Sequence, residues 1–337
     1  MINIFIGGYT KRNGQGIYHL TLSSGRLSVA EPVADIANPT WLSADVINGL
    51  LYSNGTTETG YALRCFRVLD DGKLEMVSES ASTYTNPCHF AMDKDRERIY
   101  STAYHDGVLE YRTYDKVTGH LFDVEAAIKL KGSGPVKPRQ DASHPHMAFP
   151  YGAHLYVCDL GSDSVLIFDR KSLHLTARVP LEPGSGPRHI AFNGPKAYVV
   201  SELSNKLILL NYDVTTGLLT PIRYYSTVPK SYEGENLAAA IRLHPERHTL
   251  YVSNRGHDSI TVYHLNEDGE PTGVIQNIRS GGHWCRDFNI TADGRYLIAA
   301  HERSDNVTLY TIASDGRLEM ISHDTVVPEG TSVVIYE

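Results

Sequence analysis

The chain has 337 residues, 41% of them hydrophobic, and 31 Lys and Arg against 39 Asp and Glu give a formal net charge of −8. That mild acidity argues against a nucleic-acid partner, and no apolar run approaches the roughly 18 residues a membrane span needs. Four cysteines (Cys65, Cys88, Cys158, Cys285) lie far apart with no CxxC pair, which reads as free thiols in a reducing, cytoplasmic setting.

The N-terminus, MINIFIGGYT, enters a strand pattern at once, without the basic, apolar and cleavage regions of a secretion signal. From there a unit of about 48 residues recurs seven times; a period of roughly 20–50 residues marks a propeller, solenoid or array. One strand series runs IFIGGYT (4–10), LLYSNGT (50–56), RIYSTAY (98–104), HLYVCDL (154–160), KAYVVSEL (196–203), TLYVSNRG (249–256) and YLIAAHER (296–303). A second follows each after a short gap, from GIYHLTL (16–22) to NVTLYTI (306–312).

A further strand precedes each pair. Its entries are Asn38-Pro39-Thr40, Asn86-Pro87-Cys88, His144-Pro145-His146, Gly186-Pro187-Arg188, Leu237-Ala238-Ala239, Trp284-Cys285-Arg286 and Pro328-Glu329-Gly330. A fourth strand follows turns such as Asp71-Gly72 and Asp315-Gly316, strong hairpin signals; Lys171-Ser172-Leu173-His174 breaks that pattern in the fourth unit. Four antiparallel strands make a propeller blade. The chain starts on the second strand of a blade and ends on a first strand, TSVVIYE (331–337), so the last strand is expected to complete the N-terminal blade and close the ring. The expectation is one all-β domain over 1–337, a seven-bladed β-propeller, monomeric by default. One spacing between entries stretches to 58 residues because of a Gly/Pro-rich insertion from Lys131 to Ser143. Its place beside His144 makes it a candidate lid.

Equivalent positions in a propeller project toward one end of the central channel. The last residues of the seven entries are Thr40, Cys88, His146, Arg188, Ala239, Arg286 and Gly330, three of them cationic or titratable. The ends of the first strand series are aligned as Gly8, Thr56, Tyr104, Leu160, Glu202, Arg255 and His301. Polar chemistry thus collects in a few blades of a repetitive scaffold, the pattern of a site grafted on a fold. Among the 16 histidines, His283, His301, His105 and His257 lack close ligand spacing, so no catalytic metal is expected. No GxSxG nucleophile elbow occurs.

The motifs HPHMAF (144–149), GPRHIAF (186–192), YVVSEL (198–203), YVSNRGHDSITVY (251–263) and CRDFNITADGRYLIAAH (285–301) resemble the propeller-type lactonase family, the seven-bladed 6-phosphogluconolactonase group that includes a fungal muconate-lactonizing enzyme. The likeness runs from first strand to last; PEGTSVVIYE departs from the family's usual ending. It implies cofactor-free hydrolysis of a small sugar lactone, 6-phosphogluconolactone first, with a pocket histidine, two arginines and a glutamate carried over to His146 (or, less well, His144), Arg188, Arg255 and Glu202. Lactone hydrolysis needs an activated water and cations facing the developing oxyanion. Glu202 or His146 is the expected base, and Arg188 and Arg255 the expected anion partners. Arg286 with the loop at His283 is expected at a substrate phosphate, with His144, His301 and Tyr104 as further binding candidates. Another lactone with the same pocket, and a non-enzymatic propeller that binds protein, are the competing readings. No Trp-Asp pair of the adaptor type occurs: Trp41 and Trp284 precede Leu and Cys.

Overall fold

The computed structural model describes residues 1–337, and no helix in it is long and apolar enough to cross a membrane. Seven antiparallel sheets stand in a ring. We number them by blade. Blade 1 joins the C-terminal strand Gly330–Tyr336 to Ile2–Gly8 and Ile17–Ser23, with an outer edge broken into Arg26–Leu27 and Glu31–Ala34. Blades 2 to 7 follow in chain order, with inner strands Leu42–Asp45, His89–Asp93, Pro145–Tyr151, Pro187–Asn193, Leu237–Leu243 and Cys285–Ile290. Neighbouring inner strands touch around the whole ring, including Gly330–Tyr336 against those of blades 2 and 7.

Closure is as expected: Asn3 pairs with Tyr336 and Ile6 with Val333. A repeated polar latch reinforces the ring. The turn between the second and third strands of a blade carries an Asp or Asn at positive φ (Asp163, Asn205, Asp258, Asp305). Each accepts from a backbone N–H at the entry to the next blade: Gly186 at 2.8 Å, Ala238 at 3.0 Å, Trp284 at 2.8 Å and Glu329 at 2.9 Å. Short acidic and amide side chains tolerate the left-handed region, and here they satisfy amides that would otherwise be buried without partners. The last latch is the closure itself, and Arg12 also bonds Asp305 at 2.7 Å.

The core is divided in the same way. Seven apolar clusters lie one in each interface between adjacent blades, so each blade is stable only against its neighbours. Cys65, Cys158 and Cys285 are free thiols inside these clusters. In the irregular turn of blade 4, Leu173 takes the left-handed conformation (φ 56°) that Gly217 takes in blade 5, and Asp169 holds that turn through the amides of Lys171 and Ser172.

Candidate functional site

Inner strands of blades 4, 5 and 7 share a register shift at one place: between Pro145 and Met147, Pro187 and His189, and Cys285 and Asp287. The residue left unpaired is His146, Arg188 or Arg286. A β-bulge re-aims the extra side chain, and these three are turned toward the channel. Above them opens a cavity of about 470 Å³ at one mouth of the ring. His146, Arg286, Glu202, Arg255 and Tyr104 line it, with Thr40 and Cys88.

Glu202 is the electrostatic centre. It is 2% exposed, and its Oε2 accepts from Arg188 Nε at 3.1 Å and Arg255 Nη2 at 2.6 Å. Its Oε1 meets Arg139. Burial disfavours this carboxylate, but Arg255, Arg188, His146 and Arg139 outweigh burial and hold it well below the ordinary glutamate range. Arg188 lies under the cavity floor, with Nη1 on the Ala239 carbonyl at 2.7 Å. Arg255 donates to Leu237 and Ala238 carbonyls besides Glu202. Burial pushes both guanidiniums down, yet they keep their protons at neutral pH.

His146 is the opposite case. It is 5% exposed, lines the cavity, and its Nδ1 has no hydrogen-bond partner. Burial, reinforced by Arg188, lowers it well below the ordinary histidine value against the pull of Glu202, so it is neutral at pH 7. Behind it His189 and His89 continue down the channel, with ring centroids 5.2 Å and 5.9 Å apart in turn, and His89 packs on Trp41 at 4.4 Å. No group of three or more His, Cys, Asp or Glu side chains converges in a way that could hold a metal ion. Cys88 is pushed up to about 11 by burial, so it stays a thiol.

Three expected binding residues stand elsewhere. His301 is one residue out of register: Cys285 pairs with His301 as Pro187 pairs with Ser201, so Glu302, not His301, is the counterpart of Glu202. One step along a strand sends a side chain to the other face. Glu302 lines the cavity, while His301 is buried between strands with Nδ1–H donating to the Asn306 carbonyl at 3.1 Å. His144 stacks on Tyr104 (centroids 4.5 Å) and bonds Asp141 at 3.0 Å, behind the cavity wall. His283 is outside as well, paired with Asp258 at 2.6 Å. The sequence signal for Glu302 was present in the parallel between Ser201-Glu202, Asn254-Arg255 and His301-Glu302.

Several lining residues escaped the sequence reading: Tyr9, Lys11, Arg139 and Trp284. Trp284 has φ 72°, an unusual conformation for a bulky residue. Its N–H is held by Asp258, and the Arg303 guanidinium lies 3.5 Å from its ring centroid. Such strain persists only where the surroundings over-determine it, and it clusters at functional sites. The insertion at 131–143 contributes Arg139 to the rim.

A seven-bladed propeller with one polar, cation-rich channel mouth is a class of small-molecule enzyme and binding scaffolds. Residues 3–335 match the family model "Lactonase, 7-bladed beta-propeller", and the chain belongs to that family. A Lactococcus lactis subsp. cremoris protein is 35% identical over 341 residues, covering 98% of each chain. A crystal structure of a Lactobacillus plantarum protein superposes with a TM-score of 0.94 at 33% identity over 100% of both chains. A candidate 6-phosphogluconolactonase from Bacteroides fragilis gives 0.89 at 25% identity, over 100% of this chain and 98% of the other.

Proposed function

We propose that the protein hydrolyses a phosphorylated sugar lactone, 6-phosphogluconolactone first, at this channel mouth, in the cytoplasm and as a monomer. The observation that carries the reading is His146: neutral, facing the cavity, with a buried Nδ1 that nothing in the protein satisfies. Of the two bases expected from the sequence, His146 fits better than Glu202, whose carboxylate is consumed by arginines. The imidazole takes a proton from water as the water oxygen attacks the lactone carbonyl carbon. Negative charge passes to the carbonyl oxygen, within reach of Arg255 and Arg286. The tetrahedral adduct then breaks its ring C–O bond, and the imidazolium returns the proton to the leaving alkoxide. Glu202 fixes the guanidiniums and keeps their mutual repulsion in check. Phosphate suits the lining, where Lys11, Arg139, Arg255 and Arg286 outnumber Glu202 and Glu302 in a chain of net charge −8.

The test is hydrolysis of freshly generated 6-phosphogluconolactone above its spontaneous rate, by wild type and by His146→Asn. The expected result is a wild-type rate reduced on the order of 10²–10⁴-fold in the variant, the scale of general acid–base help. No acceleration by wild type would refute the substrate, and an unimpaired variant would refute the base.

A further inference from the structure

The cations around the cavity differ in how many of their donors are already used. Arg188 gives Nε to Glu202 and Nη1 to Ala239 and His189. Arg255 gives Nε and Nη2 to two carbonyls and Glu202. Arg139 uses Nη2 alone, toward Glu202 Oε1 and the Tyr104 hydroxyl (3.4 Å), and leaves Nε and Nη1 without protein partners. Its side chain is 39% exposed against 3% for Glu202. It is therefore an open guanidinium at the rim, already resting on a carboxylate.

Arg139 is also the one pocket cation delivered by the insertion rather than by the repeat, and the insertion is built to place it. The next residue, Gln140, is fully buried. Its Nε2 donates to the Leu160 carbonyl at 2.8 Å and to Asp163 at 2.6 Å, and its Oε1 accepts from Val136 N–H at 3.0 Å. Its carbonyl accepts from Gly134 N–H at 3.0 Å and Lys137 Nζ at 2.7 Å. The loop is folded around Gln140, and Gln140 is tied to Asp163, the latch residue between blades 4 and 5. Beside Arg139, Tyr104 is raised above the ordinary tyrosine range by burial, so its hydroxyl keeps a proton to donate.

We propose that Arg139 is the specificity residue of the pocket: its free edge, with the Tyr104 hydroxyl, clamps the phosphate of the ligand, and Gln140 positions it. Glu202 Oε1 is the resting partner that the phosphate joins or displaces. A planar fork of donors matches phosphate in two-point contact, and the blade 3–4 rim places that clamp across the cavity from Arg286, leaving the floor at His146 for the lactone ring. The proposal rests on the phosphorylated-lactone reading above, but its test does not depend on turnover.

The experiment is titration calorimetry of the full chain with two stable product acids, 6-phosphogluconate and gluconate, which differ only in the phosphate. Wild type is expected to bind 6-phosphogluconate at least tenfold more tightly. In Arg139→Ala that ratio should fall to near one, and Arg139→Lys should recover part of it. Gln140→Leu should lower the ratio as well, and the double variant Arg139→Ala/Gln140→Leu should be no worse than Arg139→Ala alone, because one residue acts through the other. A merely structural Gln140 would change thermal stability and leave the ratio intact. A wild-type ratio near one, or a ratio unchanged in Arg139→Ala, would overturn the proposal. Phosphate-selective binding without lactone hydrolysis would instead sink the enzymatic reading and leave the clamp standing.

Discussion

Acid should destabilise this protein through its buried histidines before its carboxylates titrate. Burial, with Arg242 and Arg188 nearby, lowers His89 from 6.5 to about 3. Burial lowers His301 to about 4, against the hydrogen bond to the Asn306 carbonyl that favours its charged form. Both side chains are fully enclosed, at 3% and 0% exposure. The unfolded chain binds protons at these sites below pH 6.5 while the folded chain does not. Their contribution is therefore complete above the unfolded value and is lost as pH falls toward the folded one. At pH 5 each has lost about 1.5 pH units of linkage, about 2 kcal/mol, or about 4 kcal/mol for the pair. His146 and His189, lowered for the same reason, add with the same sign. Ion-paired carboxylates such as Glu202 are lowered instead, and their loss begins only near the unfolded carboxylate range, at roughly pH 4. Asp287, raised by burial, acts oppositely, gaining stability as pH falls toward the unfolded carboxylate value from above. Urea unfolding free energies at constant ionic strength, from pH 7.5 to 5, provide the assay. The slope should correspond to uptake of two or more protons, and His89→Gln and His301→Gln should each flatten it by up to one. A stability independent of pH across 6.5 to 5 would refute the reasoning.

Two further predictions concern the architecture. Glu202→Gln removes the charge that Arg188, Arg255 and Arg139 share; leaving guanidiniums uncompensated in a buried site should cost about 3–5 kcal/mol in denaturant unfolding, and a near-zero change would deny Glu202 its organising role. Asp305→Ala removes the closure latch, with its bonds to Glu329 N–H and Arg12. A loss of about 1–3 kcal/mol is expected, with increased hydrogen exchange confined to the first and last strands; uniform exchange would contradict a local latch.

The repeat made the scaffold legible because each blade has the same obligation: two strand faces to bury and sharp turns between them. Strand series that recur seven times, hairpin glycines and the split first blade were enough to place every sheet and the closing pair of Ile2–Gly8 with Gly330–Tyr336. His146 and Arg286 were legible for the same reason, since they stand at one repeat position that the bulges turn inward. His301 failed because a strand's faces alternate, so a slip of one residue exchanged it for Glu302. Arg139 and Lys11 were beyond repeat logic altogether. Arg139 comes from an insertion with no counterpart in the other blades and Lys11 from a lengthened form of the turn between second and third strands, and only the fold of the chain brings them to the mouth.

The roles of His146 and its arginines lead to a last prediction. An imidazole lowered well below 6.5 is a weak base toward water, and general catalysis works best when the base titrates near the working pH. After burial, the groups that lower it are Arg188, Arg286 and Arg255, with Glu202 opposing them. A phosphorylated lactone brings negative charge into the cavity that His146 lines and offsets the field of those cations, so His146 should become more basic in the complex than in the free protein. The acid limb of kcat/KM reports the free enzyme and that of kcat the complex. Both limbs should show activity present above the His146 value and lost as pH falls through it, but the kcat limb should lie at the higher pH. A neutral lactone in the same pocket brings no such charge, and its two limbs should separate less. The measurement is a pair of pH–rate profiles between pH 4.5 and 7.5, corrected for spontaneous hydrolysis, on the phosphorylated and unphosphorylated lactone. Coincident limbs for the phosphorylated substrate, or a kcat limb at the lower pH, would show that substrate charge does not tune this histidine and would remove the main electrostatic reason for pairing a weak base with so many arginines.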